Sequence, residues 1–305
     1  MSKGRSFALV WCIINTLMLL SFITPLVMIT INFVLVPALA LFTKLEWKKA
    51  ALFYAISLAA VGAVTGYLGL FPVVVSLFFL APSIVMGVMY RKKLPARSAI
   101  VGGTVTLLGQ MLLALLISYA AGLDPIERVK EFLQSGVDSL PEVLRNSVNQ
   151  AALNATIHYF LQIIPLLLIV TAVFYTFIGH AVGRWILRKN HVLVPGLRPI
   201  REWMLPRSMA LYLVIVTILD MFISIESNTF LSMVVWNLLP ILSIAFTVQA
   251  ISFFFFYAHA KKKSVALPVF AIVMVVLFPP LLIYLYCVIG LLDVLTPMRK
   301  RIAGG

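Results

Sequence analysis

Charge is what this sequence has least of. Only 11% of its 305 residues are Asp, Glu, Lys or Arg, where an ordinary soluble domain carries about 25%. Acids are scarcest, 10 against 24 cations. So few charges cannot clothe a water-facing surface, which excludes a cytosolic enzyme or a secreted domain as the main body. Cysteine is nearly missing: Cys12 and Cys287 lie far apart within apolar runs and read as small core residues, not as a disulfide framework. No Gly-rich loop ends in Gly-Lys-Ser/Thr, so the chain has no P-loop for ATP hydrolysis. Without His-Glu-x-x-His or Cys-x-x-Cys there is no metalloprotease or structural zinc signature. His158 and His180 are 22 residues apart on what is predicted to be one helix, about 33 Å by helical rise, too far to share a metal. These gaps predict no catalytic residue, no metal and no cofactor: the expectation is a protein that is not an enzyme.

What is present is hydrophobic, 62% of residues. The net charge of +14 would suit nucleic acid if it formed a face, but the cations sit in short clusters between apolar runs. That distribution is the topology signal of a polytopic membrane protein, with Lys and Arg retained on the cytoplasmic side, and no nucleic-acid partner is expected.

Run lengths then count the passes. Ser6 to Thr43 holds 38 uncharged residues, roughly 57 Å as one helix against a hydrocarbon core of about 30 Å. One crossing cannot absorb that, so a break near Ser21 to Pro25 is predicted, with passes at 7–22 and 26–43. Ala50 to Tyr90 reads as a second hairpin turning at Gly66-Tyr67-Leu68-Gly69-Leu70-Phe71-Pro72. Ser98 to Leu123 gives one pass into an outer loop, 122–157. A pass at 158–183 returns to the basic stretch Arg184 to Arg207. Two more, 208–225 and 229–260, precede Lys261-Lys262-Lys263. The last run, Ser264 to Met298, is flanked by cations at both ends and should cross twice, bending at Pro279-Pro280. The total is an all-α polytopic bundle of about ten passes (8 to 10), with N and C termini cytoplasmic. All 24 cations except Arg128, Lys130 and Arg145 then lie inside. The short arms of the first and last hairpins suit re-entrant or discontinuous helices. The division expected is 1–190 as a six-pass bundle, 191–207 as a cytoplasmic connector and 208–305 as a four-pass bundle.

In the outer loop, Asp124-Pro125-Ile126-Glu127 and Ser139-Leu140-Pro141-Glu142 match capping boxes, predicting two short helices that form either an interfacial connector or a lid. Gly62-x-x-x-Gly66, flanked by Ala59 and Ala63, predicts close helix approach.

Polar residues inside apolar runs are the candidate ligand contacts: Asn15, Asn32, Gln110, Gln162 and Asp220. Each amide serves equally as an interhelical hydrogen-bonding group, as do Asn237 and Gln249. Asp220 is the acid deepest within an apolar run, where a charge costs about 2.5–3.5 kcal/mol on insertion scales; it is either a ligand site or a wetted residue near the outer interface. Asp293 reads as an interfacial ion-pair partner for the cations at 299–301. The Pro-bounded segment 195–207 places Arg198, Arg201, Trp203 and Arg207 for contact with lipid headgroups or with a cytoplasmic partner protein.

Arg201-Glu202-Trp203-Met204-Leu205-Pro206-Arg207-Ser208, Ser252-Phe253-Phe254-Phe255-Phe256-Tyr257 with His259, Pro279-Pro280-Leu281-Leu282 and Gly290-Leu291-Leu292-Asp293 resemble the YybS family of predicted bacterial polytopic membrane proteins. The resemblance implies a multi-pass protein of the bacterial cell membrane. That family is in turn distantly similar to the S components of energy-coupling-factor transporters, six-helix proteins with both termini inside. The likeness covers passes one to six, which end near 187; the last four have no counterpart. The Ala-x-x-x-Ala pattern of the S-component coupling helix is missing from the first pass. Two functions follow as expectations: a small-molecule binding or transport component with a polar pocket among passes one to six, served by a cytoplasmic ATPase, or a membrane scaffold or regulatory protein recruiting a cytoplasmic partner through 184–207.

Overall fold

Backbone polar groups have no water to bond within a bilayer, so apolar runs of this length must close their hydrogen bonds internally, as helices. A computed structural model of the protein describes residues 3–142, 149–223 and 229–303, and among these every regular element is helical. In chain order they are α1 (Lys3–Leu20), α2 (Val27–Thr30), α3 (Leu35–Lys44), α4 (Trp47–Thr65), α5 (Leu70–Arg91), α6 (Ala96–Ala120) and α7 (Pro125–Asp138). After these come α8 (Gln150–Gln162), α9 (Ile164–Lys189), α10 (Arg207–Asp220), α11 (Phe230–Ala260), α12 (Ala266–Leu277), α13 (Pro279–Leu295) and α14 (Met298–Ala303). The helix expected from the second capping box, and Glu226 and Arg145, lie outside the described residues.

The chain forms two compact units, Met1–Pro125 with Leu168–Leu197, and Ile126–Leu167 with Arg198–Gly305.

In the first unit the predicted reversals are read from contacts that no straight helix permits. Lys44 Nζ stands 4.1 Å from the Phe7 ring centre, although 37 residues of helix would separate them by roughly 55 Å. The break comes at the 3-10 turn Ser21–Ile23, where Ser21 Oγ and Thr30 Oγ1 are 2.7 Å apart. The returning arm is discontinuous: α2, a second 3-10 turn Ile31–Phe33, then α3. Tyr54 Oη donates to the Ser76 carbonyl at 2.9 Å, so the chain also turns back between α4 and α5, at Gly66–Gly69.

Gly66 has φ +56°, a conformation that costs an L side chain energy and glycine little. It makes the turn; it does not make the predicted helix contact. A Cβ added at Gly62 or Gly66 would meet nothing within 4 Å, and Ala59 and Ala63 are exposed. Among the described residues the small face of the Gly62-x-x-x-Gly66 pattern meets no partner helix.

The middle of this unit is filled by apolar side chains: Leu19, Leu35, Val61, Phe79, Leu107 and Ala172 form one buried cluster. Polar groups there are bonded locally, as Thr104 to Thr176 at 2.8 Å and Ser83 Oγ to the Leu35 carbonyl at 3.2 Å. The basic clusters meet at one end. Arg91 donates to the carbonyls of Phe42 and Leu45 at the end of α3. Lys44 Nζ donates to the Asn190 carbonyl at 3.3 Å, and Arg184 Nε to that of Val194 at 3.3 Å.

The pass predicted at 158–183 is split. Asn149 caps α8 by accepting from the amides of Ala151 and Ala152, and the helix stops at Ile163, just before Pro165, which has no amide hydrogen to continue it. His158 and His180 therefore belong to different helices. His180 Nδ1 is 2.6 Å from Tyr90 Oη, while His158 Nε2 accepts from Gln162 Nε2 at 2.6 Å. Cys12 and Cys287 are buried free thiols, as their apolar settings predict.

In the second unit the break falls at Phe278, with Pro279 and Pro280 opening α13. Tyr286 Oη donates to the Ala271 carbonyl at 3.1 Å, so α12 and α13 run antiparallel. A Cβ added at Gly290 would stand 2.0 Å from the Phe246 carbonyl oxygen, and three residues on in both helices Gln249 Nε2 donates to Asp293 Oδ2 at 2.5 Å. Matched steps in the same direction make α11 and α13 parallel. With α12 leading back between them, the cations at 261–263 and 299–301 fall at the same end.

Candidate functional site

Two places in the second unit gather chemistry. At its basic end, Asp293 is wholly buried, with 0% of its side chain exposed, and Arg299 Nη2 reaches it at 2.7 Å with 14% exposure. An unpaired carboxylate there would be costly; Arg299 and Gln249 satisfy it from two directions. Arg299 and Gln249, with Ser252, also hold the connector. Arg299 Nη1 donates to the Arg201 carbonyl at 2.8 Å, and Gln249 Oε1 accepts from the Leu205 amide at 3.0 Å. Ser252 Oγ stands 2.7 Å from the Ile200 carbonyl and 2.8 Å from that of Trp203. Asp293 is the ion-pair partner its spacing predicts. Sequence reading passed over Ser252 and Gly290, although both lie in the stretches that carry the family resemblance.

The four predicted connector residues divide accordingly. Arg198 and Arg207 are exposed. Arg201 is half-buried, its guanidinium 3.3 Å from His259 Nδ1, beside a cleft of ≈ 540 Å³ that Lys262 and Lys263 also line. Trp203 uses its indole N–H within the connector, donating to the Arg198 carbonyl at 2.9 Å.

The second place lies far along α11: Pro240 is roughly 30 Å from Ala260 by helical rise. Here a cleft of ≈ 410 Å³ is lined by Tyr159, Asp220, Trp236, Ser243 and Tyr284, with Pro240 and Pro279-Pro280 in its wall. The local sequence explains its position. Asp220 ends α10; Pro240 inside α11 deprives the Trp236 carbonyl of its i+4 donor; Pro279 and Pro280 start α13. Tyr159 meets Trp236 edge to face, ring centres 5.5 Å apart. Asn237, one residue on, ties α8 and the start of α9 to α11: its Nδ2 donates to the Gln162 carbonyl at 2.8 Å, and its Oδ1 accepts from the Leu166 amide at 2.7 Å. The Asp220 carboxylate makes no hydrogen bond or ion pair among the described residues, and no Lys, Arg or His lines the cleft.

The other predicted ligand contacts are not gathered. Asn15 is buried and donates to Ser57 Oγ at 2.6 Å. Asn32 bonds the carbonyls of Met28 and Ile29 in its own helical turn. Gln110 has a buried side-chain oxygen without a partner among the described residues. Gln162 pairs with His158. Two clefts of the first unit open instead at its basic end, ≈ 630 Å³ beside Phe7, Trp11, Lys44 and Lys189 and ≈ 880 Å³ beside Arg5, Lys44, Glu46 and Lys49. None of Asn15, Asn32 or Gln110 lines either.

Among the described residues six stretches are long and apolar enough to cross a bilayer, Trp47–Arg91 with its internal turn counting as one, and Ala266–Leu277 and Pro279–Leu295 are shorter apolar helices. This is the build of a multi-pass helical membrane protein. Residues 12–294 match the family described as "Predicted membrane protein (DUF2232)", and the chain belongs to that family. It is similar to "Uncharacterized protein YybS" of Bacillus subtilis (strain 168), 23% identical over 255 residues, which is 81% of each chain. The resemblance carried by 201–208 and 252–293 is thus a family relation. No solved structure matches, and likeness to S components stays an expectation of the sequence.

Proposed function

We propose that the protein is a non-catalytic, ten-pass component of the bacterial cell membrane, termini cytoplasmic, that binds a small molecule in the cleft of its second unit. The observation that carries the reading is Asp220, a carboxylate without a partner among the described residues, in a cleft of ≈ 410 Å³. That volume is within the range of about 300–1,000 Å³ usual for ligand pockets. Asp220 is half-buried, and a carboxylate partly withdrawn from water gains from a counter-charge. Asp220 and the Ser243 hydroxyl share the cleft without a hydrogen bond between them, an arrangement suited to holding a ligand more than to activating a nucleophile. The gathering of basic clusters at one end of each unit supports cytoplasmic termini, by the retention of Lys and Arg inside. A Bacillus relative supports a bacterial cell membrane.

Any ATP-driven movement of the ligand needs a partner ATPase, since the sequence has no P-loop. The connector favours a second role as its docking surface: its backbone is clamped by three side chains from two helices while Arg198 and Arg207 stay exposed. Native mass spectrometry of the protein released from membranes tests the first reading. A co-purifying small molecule should be present in the wild type and lost in Ile244→Trp, which fills the cleft from its wall; a molecule retained in both, or found in neither, rejects it.

A further inference from the structure

We infer that the Asp220 cleft takes a lipophilic organic cation, its ammonium or phosphonium head against the carboxylate and its body along the aromatic and apolar wall. The inference rests on the binding reading above and names its ligand class. Three features select it. Among the described lining residues the carboxylate is the one formal charge, so an anion would be repelled and a neutral molecule would leave the charge uncompensated. Three aromatic rings, Tyr159, Trp236 and Tyr284, line the same space, and an aromatic face attracts a cation through its quadrupole. The edge-to-face arrangement of Tyr159 and Trp236 leaves at least one ring face uncovered. Apart from the Ser243 hydroxyl, the rest of the wall, including Leu239, Ile244 and Ile283, is aliphatic and offers too few oxygens to a metal ion, whose shell calls for six or more; it suits an apolar body. The Trp236 carbonyl, short of its helical donor because of Pro240, adds a partial negative charge at a lining residue.

Three probes of one shape and different charge test the class: benzyltrimethylammonium, its neutral carbon isostere neopentylbenzene, and the anion phenylmethanesulfonate. Each is titrated into the full chain in detergent, with binding read by calorimetry and by thermal stabilisation. The cation should bind, Asp220→Asn should weaken it at least tenfold, and the other two probes should show no saturable binding. Tyr284→Leu keeps the apolar bulk at an exposed position (72%) and should weaken the cation several-fold, a result that survives if Asp220→Asn fails to fold. Equal binding of the neutral or anionic probe, or cation binding unchanged in both variants, overturns the class while the cleft itself stands. If the cation does not bind, the class is overturned; if in addition no small molecule co-purifies, the binding reading falls with it.

Discussion

Both units gather cations at one end, but they hold that end together by different physics. In the first, Lys44, Arg91 and Arg184 reach out to backbone carbonyls where helices and turns end. Among the described residues none of these three pairs with an acid, Glu46 being bonded to Lys49 three residues on, and Arg91 itself remains exposed. In the second, a fully buried carboxylate is answered by an arginine 14% exposed. A carbonyl that loses its cation recovers a hydrogen bond from water; a buried carboxylate that loses its partner has no such recourse. The same kind of residue at the same kind of place is therefore replaceable in one unit and indispensable in the other.

The largest expected effect is in the buried pair: Asp293→Ala or Arg299→Ala should each destabilise by about 3–5 kcal/mol, read as loss of thermal stability of the purified protein in a fixed detergent. The double variant should cost less than the two singles added, because each single strands the other's charge. Next is Gly290→Ala. Its new Cβ falls 2.0 Å from the Phe246 oxygen and pushes α13 off α11, for a loss of about 1–3 kcal/mol with weakened hydrogen-exchange protection around Gln249. Arg91→Ala in the first unit should cost about 1 kcal/mol, the net worth of ordinary hydrogen bonds; a loss as great as that of Arg299→Ala would break the comparison. The smallest effect is Gly62→Ala, which meets nothing within 4 Å and should stay within about 0.5 kcal/mol in thermal denaturation.

The two glycine variants mark where sequence reading worked and where it failed. A Gly-x-x-x-Gly pattern was visible at 62–66 yet has no partner helix among the described residues, while Gly290, in no such pattern, lies against a backbone carbonyl. Spacing along one helix says which residues share a face, not which neighbour that face meets. Hairpin positions were legible because length against bilayer thickness is a strong constraint, and Pro279-Pro280 breaks α12 from α13 where expected. The split at Ile163 was missed because hydropathy barely changes there; Asn149 as a cap and Pro165 were its signals. Of the site, Asp220 stood out as an acid among apolar residues. Tyr159, Trp236 and Tyr284 did not, since aromatics occur throughout such helices and only the fold brings these three to one cleft. Asn15 and Asn32 were candidate contacts beside Asp220 in the sequence, but their amides are spent on Ser57 and on local carbonyls.

The clamp on the connector also has a clock in it. Arg299 follows the carbonyl it binds by 98 residues, and at about 5–20 residues per second a ribosome needs roughly 5 to 20 s to make that stretch. Through that interval the loop around Arg201 has been synthesised but its last fastening has not, which gives insertion machinery or a chaperone time to handle it before it locks.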